Sequence, residues 1–81
     1  TADGPIPDGR TTIRYRTVRS GHVQLILQDL LGREVRVLEN GLLEAGEHQT
    51  SVNLSGLPPG VYFYTLWAEG KALSRSLSLV R

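Results

Sequence analysis

His22 and His48 are the only imidazoles in the chain, so general acid–base chemistry would have to run through them. His48 has Glu44 and Glu47 close by in sequence. The surrounding residues alternate in polarity as a strand does, and that alternation turns Glu47 to the face opposite His48. No His, Asp or Glu set has the spacing of a metal site, and the chain has no cysteine to supply a thiolate. Ser51 and Ser55 lack the strand–turn–helix context of a nucleophile elbow. Gly56 and Gly60 flank the Pro58-Pro59 pair and open a strand, so they form no phosphate-cradling loop. These residues point away from an enzyme and imply no catalytic residue, no cofactor and no metal.

The strongest positional signal is residues 57–67, L-P-P-G-V-Y-F-Y-T-L-W. Pro58 and Pro59 donate no backbone hydrogen bond and hold φ near −65°. Gly60 can take positive φ and end the turn. The residues that follow are aromatic, β-branched or apolar, as in a strand buried on at least one face. This run holds every aromatic residue except Tyr15, and it reads as the central strand, with Tyr62, Tyr64 and Leu66 facing inward.

The rest of the chain is organised around that strand. Residues 1–10, T-A-D-G-P-I-P-D-G-R, read as a linker to something larger, because two glycines and two prolines oppose both helix and central strand. The domain proper is expected over 11–81. Residues 11–17 form a strand with Ile13 and Tyr15 on one face. Residues 22–29 form another, with Val23, Leu25 and Leu27 on one face and Ile26 interrupting the polar one. Asp29 to Glu34 is a hairpin turn, in which Asp29 accepts from turn amides and Gly32 supplies positive φ. Residues 34–38 form a strand with Val35 and Val37 inward. Glu39-Asn40-Gly41 reads as a turn, Leu42-Leu43 as an edge segment and Ala45-Gly46 as another turn. Residues 47–54 form a strand near an edge. Glu69-Gly70-Lys71 is a tight turn, and residues 72–80 form a strand with Leu73, Leu77 and Leu79 inward and three serines outward. Strands about ten residues apart, with turn signals between them, predict an all-β fold: an immunoglobulin-like antiparallel β-sandwich of about seven strands.

The composition narrows the function. The chain has 81 residues, one domain at most, burying roughly 60% of its unfolded surface. Nine basic and eight acidic residues leave a formal charge of +1, which gives no electrostatic case for nucleic acid. No apolar run approaches the roughly 20 residues of a membrane span. No signal peptide is visible at the amino end. An exported protein would carry its address upstream, or this domain would itself be part of the address.

Three pieces, in this order, carry a resemblance: T-T-I-R-Y at 11–15, D-L-L-G-R-E-V at 29–35 and G-L-P-P-G-V-Y-F-Y at 56–64. With E-A-G-E-H at 44–48 and the closing R-S-L-S-L-V-R at 75–81, the chain resembles the C-terminal sorting domain of the type IX secretion system, and the related immunoglobulin-like domain of flagellar hook-capping proteins. The resemblance covers about residues 5–81. It departs from the family at Gly4-Pro5-Ile6, where an Asn-Pro pair is usual, and in the last strand, where Arg75 and Arg81 stand in places often taken by Lys. Arg keeps the charge with a different fork of donors.

The resemblance implies a folded, non-catalytic address label. Its partners would be an upstream cargo domain on the same chain and the outer-membrane secretion machinery. Its route would be the periplasm in transit and then the cell surface. The hairpin from Val61 to Arg81 is expected to carry most recognition, with Arg75, Arg81, Lys71 and Leu79 as candidates. Asp29, Gly32 and Arg33 fit a hairpin turn with a solvated arginine, or a loop that the translocon touches. Gly60 and Tyr62 fit a structural role, with Tyr62 placed for a tyrosine-corner bond. A rival reading is a polysaccharide-binding or surface-attachment module that stacks sugars on Trp67, Phe63 and Tyr15; the competing view is that these rings fill the core.

Overall fold

The computed structural model describes residues 5–6 and 9–80. The strands are β1 (Pro5–Ile6), β2 (Arg10–Thr17), β3 (Gly21–Gln28), β4 (Glu34–Leu43), β5 (Gly46–Asn53), β6 (Gly60–Ala68) and β7 (Lys71–Leu79). Six are full antiparallel strands. The two-residue β1 pairs in parallel with β7, Pro5 against Ser78 and Ile6 against Leu79. It lies within the stretch expected as a linker, and a proline is tolerated there because the strand is an edge.

One sheet has the order β1-β7-β6-β3-β4 and the other pairs β2 with β5. The run β7-β6-β3-β4 against a separate β2-β5 pair is the strand arrangement of an immunoglobulin-like sandwich. The Pro-Pro-Gly strand, β6, is the middle strand of the larger sheet, as its composition predicts. The core lies between the sheets: Ile13 of β2, Leu25 and Leu27 of β3, Val52 of β5 with Leu54 just after it, Tyr62 and Tyr64 of β6, and Leu77 and Leu79 of β7. Each pair on a strand is two residues apart, the period that puts side chains on one face.

Three expectations fail, and each fails for a nonlocal reason. Glu39-Asn40-Gly41 is not a turn. β4 runs through it, with Asn40 opposite Gln24 and Gly41 opposite Val23. Ending β4 at Leu38 would strip β3 of ladder partners along half its length, and that outweighs local Asn-Gly turn chemistry. His22 Nε2 also donates to Asn40 Oδ1 at 2.7 Å. Second, Val37 faces out and is 51% exposed. The register slips twice along β3–β4, so β4 carries two extra residues, Val35 and Leu38, which pack against the core. Bulges of this kind re-aim side chains, and here they send Val37 outward beside Ile26. Third, Leu73 is 57% exposed. The two-stranded sheet is too narrow to cover the first half of β7 in the larger one.

The antiparallel register sorts the connections into two ends. The Asp29 end gathers the β3–β4 turn, the β5–β6 turn and the last residues of β7. The Glu69 end gathers the β2–β3, β4–β5 and β6–β7 turns.

Candidate recognition surface

Asp29 organises the turn between β3 and β4. Its backbone exchanges bonds with Arg33 O and Gly32 N, both at 3.0 Å. Its Oδ1 accepts from the amides of Leu31 at 2.9 Å and Arg33 at 3.0 Å. Its Oδ2 accepts from Arg33 Nε at 2.8 Å. The Arg33 amide is the largest cause holding the Asp29 carboxyl below its ordinary value. The Arg33 side chain and the Leu31 amide act the same way, against an opposing desolvation. Gly32 sits at φ 80°, a left-handed conformation that disfavours any Cβ. Leu30 and Leu31 ride on this turn, 66% and 76% exposed.

The β5–β6 turn stands beside it. Tyr62 is buried, and its hydroxyl donates to Pro58 O at 2.5 Å, the tyrosine-corner geometry. Gly60 has φ 151°. Asp29, Leu30, Leu31 and Arg33 from one side and Pro59, Val61 and Tyr62 from the other line a shallow, open depression of about 220 Å³.

The hairpin candidates are spread along β7. Lys71 opens the strand at the Glu69 end, and Arg75 lies mid-strand opposite Tyr64. Arg75 is exposed and shares the parity of Leu77, so it points toward the open side of the sandwich, next to Leu73, Tyr15 and Arg14 around a small apolar crevice. Inward-pointing charge on an edge strand deters edge-to-edge pairing. Leu79 is 2% exposed, so its side chain belongs to the core, and its backbone is flanked by β1 and β6. Arg81 lies outside the described residues, as do residues 1–4 and 7–8 of the expected linker. The fold therefore does not gather Lys71, Arg75 and Leu79 into one patch. It does gather Asp29, Gly32, Arg33, Gly60 and Tyr62 at one end.

Three anchoring residues escape sequence reasoning. Glu69, at φ 57°, reaches across the Glu69 end. Its Oε1 accepts from the amides of Val18 at 2.7 Å and Arg19 at 2.8 Å. Arg36 of β4 ties the sheets together by donating to the carbonyls of Asn53 and Ser55. Thr65, buried on the outer face of β6, donates to Gln28 Oε1 at 2.6 Å and lies 2.8 Å from Ser74 Oγ. All six contacts join residues nine or more apart in sequence, and no local pattern marks them. The exposed Leu30-Leu31 pair did leave a signal: adjacent leucines inside a turn otherwise built from Asp, Gly and Arg.

The imidazoles do not converge with carboxylates. His22 is engaged by Asn40. His48 Nε2 donates to Glu44 O at 2.6 Å, and its ring lies 5.6 Å from that of Tyr15. Among the described residues no group of three His, Cys, Asp or Glu could hold a metal ion. No helix among them is long and apolar enough to cross a membrane. The three rings proposed for sugar stacking are divided. Phe63 and Trp67 lie on the outer face of β6, whereas Tyr15 faces inward and packs against the core. They form no common platform.

No curated protein and no solved structure matches the chain. A family model, the secretion system C-terminal sorting domain, matches residues 6–79. That span runs from the end of β1 to the end of β7 and takes in both turns of the Asp29 end. Sorting domains of this kind are not typically catalytic. A family match over residues 6–79, on a two-sheet immunoglobulin-like fold, places this chain in the family of type IX secretion C-terminal sorting domains.

Proposed function

We propose that this domain directs an upstream cargo domain on the same chain across the outer membrane to the cell surface, and performs no reaction itself. The observation that carries this reading is the family match over residues 6–79. Export through the type IX system to the cell surface or the extracellular space follows from the family. On this reading the cargo passes through the periplasm and the outer-membrane machinery then engages the folded surface. The segment before Arg10 joins cargo to domain, and the β6–β7 hairpin supplies part of the surface that is engaged.

The test is a fusion of residues 1–81 behind a neutral periplasmic reporter, in a host that carries the translocon. Surface accessibility of the reporter is measured. The reporter with the domain is expected at the surface and the reporter alone in the periplasm; equal retention of both would end the sorting reading. Cutting β7 short would remove Leu77 and Leu79 from the core, so the hairpin is tested by substitution. Lys71→Glu together with Arg75→Glu is expected to lower delivery several-fold in a fusion whose domain still resists limited proteolysis. Unchanged delivery would remove those two charges from the recognised surface.

A further inference from the structure

We propose that the depression at the Asp29 end is a docking groove for an extended segment of the secretion machinery, one that presents an apolar side chain beside a carboxylate. This rests on the sorting reading and names the chemistry that the end would recognise. The depression is open and lies between two turns, with Asp29, Leu30, Leu31 and Arg33 contributed by one and Pro59 and Val61 by the other. Its volume of about 220 Å³ lies below the roughly 300 Å³ at which small-molecule pockets begin. It has room for one large side chain.

Leu30 and Leu31 lie outside the core of their own domain. The turn is made by Asp29 and Gly32, and polar residues would serve at the two leucine positions equally well. Both side chains are left largely in water. An apolar pair at the centre of a contact, once desolvated, is the kind of feature that carries binding.

Both turns are hydrogen-bonded from within before any partner arrives. Asp29 fixes the leucine wall with its carboxylate and backbone, and the Tyr62–Pro58 bond fixes the proline wall. A preformed groove loses little conformational entropy on binding.

Arg33 supplies the charge selection. Its Nε is committed to Asp29 Oδ2 at 2.8 Å while the side chain stays 72% exposed. That bond sets the plane of the guanidinium, whose terminal nitrogens then offer a fork suited to a carboxylate. An apolar slot with an oriented cation at its rim therefore fits an apolar side chain followed or preceded by Asp or Glu.

The same reporter fusion tests the proposal. L30S/L31S and, separately, R33E are expected to lower surface delivery about tenfold or more. Leu42→Ser removes a leucine of comparable exposure at the Glu69 end and is expected to leave delivery unchanged. Limited proteolysis of each fusion reports folding. If the unsubstituted fusion stays in the periplasm, the sorting reading itself fails. If it is delivered, and L30S/L31S and R33E are delivered equally well, only the groove is overturned. Should the leucine variant lose its fold, a photocrosslinking residue in place of Val61 decides: a crosslink to the translocon supports the groove, and a crosslink to a second copy of the fusion, or none, overturns it.

Discussion

The two ends of the sandwich are held by different kinds of bond. At the Asp29 end each turn is fixed from within by contacts short in sequence, Asp29 with Leu31 and Arg33, and Tyr62 with Pro58, while Arg36 reaches the Asn53 and Ser55 carbonyls across the sheets. At the Glu69 end the bonds that join one turn to another cross the chain. Glu69 reaches Val18 and Arg19, which precede it by 51 and 50 residues, and Thr17 donates to Glu44 O at 3.3 Å. Local bonds can hold a turn while the sheets breathe, whereas long-range bonds exist only when both sheets are in place. Each turn at the Asp29 end therefore keeps its own shape, while the meeting of the two depends on the packed sheets. The Glu69 end reports on whether the whole domain is folded.

This contrast can be broken or sharpened by experiment. The largest effect is expected from Tyr62→Phe. It removes a buried hydroxyl and its bond while keeping the ring, at a cost of about 1–1.5 kcal/mol. In a domain of this size each ~1 kcal/mol lowers Tm by roughly 4–8 °C. No shift in a thermal melt of the reporter fusion would show that the corner bond adds nothing to the proline wall. A smaller effect is expected from Glu69→Ala, about 0.5–1 kcal/mol, since water can reach the two amides it frees. The informative readout there is hydrogen exchange: the Val18 and Arg19 amides should speed up while Leu31 and Arg33 stay unchanged. If all four speed up together, the ends are coupled and the contrast fails.

The smallest effect concerns pH. The Asp29 carboxyl is held below its ordinary value in the folded domain, so its contribution is fully present above the unfolded value. It is lost as pH falls through the folded one. The turn should therefore keep its amide protection at neutral pH and lose it only in strong acid. An NMR titration of Asp29 should give a midpoint below that of an unstructured aspartate, and Arg33→Ala should move it upward. A midpoint at or above the ordinary value would mean that the turn is not organised by the carboxylate.

Alternation and turn chemistry carried much of the architecture. The inward faces of β3 and β5, Tyr62 and Tyr64 on β6, and Leu77 and Leu79 on β7 all follow from a period of two in the residues themselves. The misreadings cluster where another strand decides. Asn40-Gly41 looks like a turn until β3 demands a partner along its full length. Val37 looks inward until the bulges at Val35 and Leu38 shift the parity. Leu73 looks inward until the facing sheet turns out to have only two strands.

The sequence by itself determined the class of fold, the middle strand, the Asp29 turn and the family, because each depends on residues close together along the chain or on their order. Only the tertiary structure decided that the Asp29 turn and the Pro-Pro turn, far apart in sequence, meet as two walls of one groove. It also placed Leu79 inside and scattered the β7 charges along an edge. Which residues share a surface depends on strand register and on how far one sheet covers the other, and these are set by the packing of whole strands, which no short stretch of sequence encodes.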